Sequence, residues 1–186
     1  DPGASRQLIV QVGRANCVGL NRPSVYRSPE GKADMGELRI GMTATVLPDG
    51  RVLIIGGGTL DAAGNLATVS DTVEVYDPVN GQFLPTNIIL SQPRAFHTAT
   101  LLQTGEVMIV GGRDSSGPLS SASTINIDGP LFEAPVTVAP EFQARYDHAA
   151  TRLPDGSVLI VGGTDAGGNA LDSTYRYFPT DNSFRL

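Results

Sequence analysis

The sequence predicts an all-β protein made of repeated four-stranded antiparallel units. Two observations predict it. A sixteen-residue stretch recurs three times in register, and each recurrence is followed by a second pair of short strand-like runs. Composition agrees: 22 Gly and 13 Pro in 186 residues imply many tight turns, and a hydrophobic content of 40% leaves enough apolar mass for a packed core.

The recurring stretches run 42–57, 97–112 and 148–163, and an arginine stands three residues ahead of each: Arg39, Arg94 and Arg145. Gly56 to Gly111 is 55 residues and Gly111 to Gly162 is 51. A period of this size marks a repeat architecture in which each repeat is one supersecondary unit.

Taken in order, each repeat opens with a strand of small and β-branched residues, such as Thr43-Ala44-Thr45-Val46 (strand A). A Pro-Asp-Gly or Gln-Thr-Gly turn follows, its glycine free to take positive φ. Strand B is short and wholly apolar: Val52-Leu53-Ile54-Ile55, Val107-Met108-Ile109-Val110 and Val158-Leu159-Ile160-Val161. An apolar run bounded by turn signals predicts a strand buried on both faces. It ends in Gly56-Gly57, Gly111-Gly112 or Gly162-Gly163. Strand C alternates with period two, as in 72–76, and strand D carries an aromatic: Phe83, Phe132 or Phe184. Four antiparallel strands in about fifty residues make one propeller blade.

Here the chain resembles the kelch-repeat family, whose central domain also occurs in galactose-oxidase-like enzymes. The resemblance rests on Arg-x-x-His at 94–97 and 145–148, the apolar strand into Gly-Gly, Tyr76-Asp77-Pro78 and its equivalents, and the aromatic about six residues on. Two departures stand out: family repeats carry Trp where this chain has Phe, and Met42 replaces His in the first repeat. The resemblance covers 39–186, divided 39–93, 94–144 and 145–186, and implies β-propeller blades that bind proteins.

Residues 1–38 read as a degenerate fourth blade or a non-repeat cap. Leu8-Ile9-Val10-Gln11-Val12-Gly13 has the look of strand B, and Ser24-Val25-Tyr26 of strand C. Strand D of the last repeat is expected only to begin near Leu186. Propellers close with about 4 to 8 blades. Three blades and a remnant therefore leave three readings: a piece of a larger propeller, a ring completed by other chains, or a small ring closed alone.

Candidate site residues follow from the repeat. The B–C loops, with Asp61 and Asn65, Asp114, and Asp165 and Asn169, lie at one rim, where a rigid scaffold displays binding side chains. The first is the longest, which makes 60–70 the most individual surface. Arg39, Arg94 and Arg145 have two readings: a recurring hydrogen bond or ion pair that ties the D–A connection to a neighbouring blade, or a ring of guanidinium groups facing the channel and suited to acidic ligands. His97 and His148, the chain's only histidines, occupy one repeat position in successive blades, which reads as architecture rather than as a metal site. The paired glycines lack the Lys-Ser/Thr of a phosphate loop and read as structural, as do the three phenylalanines. Cys17 is the sole cysteine, so no disulfide forms within the chain.

A net charge of −6 and a single lysine, Lys32, argue against nucleic acid, and no apolar run reaches the ~18 residues of a membrane helix. No catalytic constellation, metal set or cofactor motif is recognisable. The expected function is a non-enzymatic module that presents rim loops to a protein or glycan. The alternatives are part of a propeller oxidase, isomerase or hydrolase whose site is completed elsewhere, or a structural assembly subunit. An Arg-rich, Lys-poor composition suggests a bacterial, secreted or cell-surface setting.

Overall fold

The computed structural model describes residues 34–84, 86–126, 132–138 and 141–185, with Phe132 described by its backbone alone. Residues 1–33 lie outside that set, and with them all but the last five residues of the expected degenerate blade or cap (1–38), Cys17 and Lys32. No helix occurs among the described residues.

Three four-stranded antiparallel blades account for most of the chain. Blade 1 consists of β1 (Thr43–Val46), β2 (Val52–Ile55), β5 (Val73–Asp77) and β6 (Gln82–Leu84), paired in that order. Its B–C connection holds two further strands, β3 (Gly58–Leu60) and β4 (Leu66–Val69), which form a two-stranded sheet of their own, with Gly58 also bridged to Ile40. Blade 2 has β7 (Thr98–Leu101), β8 (Val107–Val110), β9 (Ala122–Asn126) and β10 (Phe132–Val136), and blade 3 has β11 (Ala149–Arg152), β12 (Val158–Val161), β13 (Thr174–Phe178) and β14 (Ser183–Arg185). Strand D of the last blade is thus formed: Phe184 pairs with Tyr177 across β14 and β13.

The turns follow from their residues. The Leu47 carbonyl accepts the Gly50 amide at 2.9 Å while the Leu47 amide donates to Arg51, and Gly50 takes φ 89°. Gly105 and Gly156 do the same at φ 91° and 86°. Proline-compatible central positions followed by a left-handed glycine make a tight hairpin.

Blades pack face to face. On strand B the first and third residues look toward the preceding blade, the second and fourth toward the following one. Leu53 and Ile55 of blade 1 therefore share a core with Val107 and Ile109 of blade 2. Met108 and Val110 share the next with Val158 and Ile160 of blade 3. Each such side chain, fully buried, contributes about 1.5–3 kcal/mol. β8 is buried along its whole length, as the apolar run predicts. β12 differs: Leu159 is half-buried and Val161 is 40% exposed, because their side of blade 3 faces no further blade among the described residues.

The inner strands β1, β7 and β11 stand side by side. At their start, Gly41, Phe96 and Asp147 occupy one repeat position and all take positive φ, at 62°, 58° and 52°. The Phe96 amide donates to the Gly41 carbonyl at 2.6 Å and the Asp147 amide to the Phe96 carbonyl at 3.0 Å. A chain of backbone hydrogen bonds thereby runs from blade to blade around the inner edge.

Candidate binding face

Antiparallel order places all B–C connections and D–A connections at one end of the blades. The A–B and C–D turns lie at the other. The first end gathers most of the singled-out residues, through three side-chain devices, two of which recur in every blade while the histidine occurs in blades 2 and 3.

The first device is the opening arginine. Arg94 Nη1 donates to the Gly111 carbonyl at 2.9 Å, and Nη2 donates to Ser121 Oγ at 3.1 Å. Arg145 repeats this with the Gly162 carbonyl at 2.7 Å and Ser173 Oγ at 2.7 Å. Arg39 uses the Gly56 carbonyl at 2.9 Å and Thr72 Oγ1 at 2.5 Å, and adds an ion pair with Glu74 at 2.5 Å. Arg94 and Arg145 are 1% and 0% exposed, and burial pushes both below the usual arginine value. Arg145 also lies over the rings of Phe142 and Tyr175. Each guanidinium thus closes the gap between the ends of strands B and C of its own blade. The tie to the preceding blade runs instead through the arginine's backbone: the Gly57 amide donates to the Arg94 carbonyl at 2.8 Å, and the Gly112 amide to the Arg145 carbonyl at 2.9 Å. That carbonyl sits so close that a Cβ on Gly56 would overlap it, and one on Gly111 would lie 2.6 Å away. Glycine is required there both by contact and by φ 57° at each position.

The second device is histidine. His97 Nε2 lies 2.9 Å from Thr43 Oγ1 of the preceding blade, and His148 Nε2 lies 2.9 Å from Thr98 Oγ1. Both rings are buried, and desolvation lowers His97 to about 3 and His148 to about 4, with Arg94 and Arg145 respectively adding like-charge repulsion. They are neutral inter-blade pins at physiological pH. Among the described residues no three His, Cys, Asp or Glu side chains gather as a metal would need.

The third device is the aspartate that folds each loop. Asp61 Oδ1 accepts the amides of Ala63 and Asn65, both at 2.9 Å. Asp165 accepts those of Gly167 and Asn169, both at 2.8 Å. The Asn65 and Asn169 amides, first among the causes, hold the two carboxyls below the ordinary aspartate value. Asp114 accepts Ser116 at 2.7 Å and the Gln92 side chain at 3.2 Å. Between Gln92 and the loop from Asp114 to Ser121 lies an open cavity of about 330 Å³. A second, of about 390 Å³, lies beside Arg39, Glu74 and Phe83.

The aromatics of strand D pack at the outer edge: Phe83 against Tyr76 at 5.2 Å, and Phe184 against both Tyr177 and Phe142 at 5.2 Å. Sequence reasoning missed Phe96 and Asp147, whose positive φ carries no glycine signal, and the threonines that receive the histidines. Both sets sit at fixed repeat positions, so alignment of the three repeats is the signal that finds them.

No profile of a known family matches the chain. Individual relatives do. Kelch domain-containing protein 9 of Homo sapiens is 31% identical over 117 residues, covering 61% of this chain and 32% of that protein. Its Mus musculus counterpart is 30% identical over 118 residues, with the same coverage. The arginine, paired glycines and four-stranded blade recur three times in the structure, and the relatives share that repeat by name. The chain is similar to these kelch domain-containing proteins. It spans about a third of the length of these curated kelch relatives. The paired glycines of blades 1 and 2 are the seats on which the next blade's arginine carbonyl rests.

Proposed function

We propose that the chain is a non-enzymatic interaction module that offers its B–C loops to a protein partner. The carrying observation is the β3–β4 hairpin. In blades 2 and 3 the same connection is a single tight loop, but blade 1 extends it by a paired ribbon with Leu60 47% exposed. An exposed apolar side chain on a ribbon pinned by the Asp61 turn and by the Thr59–Thr68 hydroxyl pair is a preorganised contact. The kelch relatives support an interaction role.

A photo-crosslinking residue at Leu60 tests this against one at Val79, which is 90% exposed on the C–D turn at the opposite end. Adducts with a distinct protein are expected from position 60, and alanine substitution across 60–70 should weaken them. Equal or stronger adducts from position 79 would refute the assignment.

A glycan is the second occupant. It is favoured by the polar cavity beside Gln92, Asp114, Ser116 and Ser121, since sugars are held by converging hydroxyl, amide and carboxylate groups. Oligosaccharide binding lost on Asp114→Ala would select it. The relatives are mammalian, so a bacterial, secreted or cell-surface setting rests on composition alone: one lysine against twelve arginines.

A further inference from the structure

We infer that the cavity of about 330 Å³ in blade 2 is a subsite for one neutral sugar residue, held through two neighbouring hydroxyl groups by Gln92 and Asp114. This rests on the glycan reading above and names the class of sugar and the groups that read it.

The cavity has a cause in the sequence. In blades 1 and 3 the Asp61 and Asp165 amides close the B–C loop on the Asn65 and Asn169 carbonyls, at 2.8 and 3.0 Å. Each asparagine carboxamide then lies on the aspartate that opened the loop, Nδ2 donating to Oδ2 at 3.3 and 3.2 Å. Blade 2 closes its loop one residue earlier. The Asp114 amide donates to the Gly117 carbonyl at 3.0 Å, Pro118 follows, and the loop contains no asparagine. Gln92 takes that role from the other side, out of the connection that leads into the blade, and its Nε2 donates to Asp114 Oδ2 at 3.2 Å. The space between Gln92 and the shortened loop is the cavity.

The polarity of this pair is set from within. Arg94 Nη2 donates to Ser121 Oγ at 3.1 Å, so the Ser121 proton goes to Gln92 Oε1, at 2.8 Å. That turns the carboxamide with Nε2 toward Asp114. A permanently charged guanidinium thereby fixes the direction of every bond down to the cavity wall. Two valences are left over. The second Nε2 proton has no acceptor among the described residues, and an ionised Oδ2 accepts a second donor. A donor and an acceptor this close match neighbouring hydroxyls on a pyranose ring: one donates to Asp114 while the oxygen of the next accepts from Gln92. Ser116 and Ser120, both exposed, line the same cavity and offer hydroxyls to the rest of the ring. Charge selects a neutral sugar. No lysine or arginine lines the cavity, because Arg94 is 1% exposed and committed to the Gly111 carbonyl and Ser121, and the Asp114 carboxylate repels an anion. The volume stands at the lower end of the range for ligand cavities, which suits one ring rather than a chain.

Glycan-array binding of the full chain, followed by NMR titration with the methyl glycosides of glucose, galactose and mannose, tests this. Neutral glycans should bind, sialylated or uronic counterparts should bind at least about tenfold more weakly, and high salt should change little. The backbone amides of Ser116, Gly117 and Ser120 and the side-chain amide of Gln92 should shift during the titration. Gln92→Ala should weaken binding about tenfold, and so should removal of one hydroxyl of the pair in a series of monodeoxy glycosides. The two losses should not add, since both remove one bond. Should Gln92→Ala disturb the fold, Ser120→Trp, at an exposed position, fills the cavity and leaves the bonds from Arg94 to Asp114 in place. Absence of binding to any glycan overturns the glycan reading and the subsite with it. Glycan binding indifferent to both Gln92→Ala and Ser120→Trp leaves that reading standing and overturns the subsite. So does a preference for acidic or amino sugars, or an affinity that falls with salt.

Discussion

Acidification should loosen the blades through two side chains. His97 and His148 are the chain's only histidines, and both are buried as neutral rings with folded-state values of about 3 and about 4. In the unfolded chain each titrates near 6.5. Because the folded values are depressed, the unfolded state binds protons that the folded state refuses. Stability is therefore complete above about pH 6.5 and is lost as pH falls toward the folded-state values. At pH 5 the loss depends almost wholly on the unfolded value, since both folded values lie at least a unit lower. It comes to about 2 kcal/mol per histidine relative to pH 7, or about 4 kcal/mol for the two. A typical domain has only about 5–15 kcal/mol to lose. The limiting slope is about 2.7 kcal/mol per pH unit, and aspartates, with ordinary values near 3.9, add nothing until lower pH. Urea denaturation at pH 7, 6, 5.5 and 5 reads this directly. Replacing both histidines with glutamine should flatten the profile in that window, whatever it does to the absolute stability. A wild-type profile flat between pH 7 and 5, or a slope that survives both substitutions, would refute the reasoning.

Two more outcomes follow from the repeat devices. Arg94→Lys keeps the charge but not the fork that reaches the Gly111 carbonyl and Ser121 together, and should cost about 2–3 kcal/mol in denaturant titration; a loss below 0.5 kcal/mol, the ordinary range of surface changes, would deny these bonds a structural role. Gly56→Ala forces a methyl group into the Arg94 carbonyl, whereas Gly50→Ala, at φ 89° with nothing within 4 Å, adds backbone strain alone. The second should cost about 1–2 kcal/mol and the first clearly more, and equal melting temperatures would contradict the seat geometry.

The sequence by itself determined the blades. Turn glycines, apolar B strands and alternating C strands are local signals, set by φ preference and by which faces a strand must bury, and three copies in register reinforce one another. It also determined that the first B–C connection is distinct, although only as a longer loop. Tertiary structure made that loop a paired ribbon. It also decided what each repeated polar residue touches, because those partners are remote in the chain. Arg94 finds the Gly111 carbonyl 17 residues on and within its own blade, where the repeat pattern had favoured a tie to a neighbouring blade. His97 finds Thr43, 54 residues back, only because adjacent repeats stack face to face. The positive φ of Phe96 and Asp147 likewise belongs to the inner-edge hydrogen bonds between blades and has no local sequence cause. A strand's burial on both faces is a property of its neighbours: β8 and β12 have nearly the same residues, and among the described residues only β8 lies between two blades.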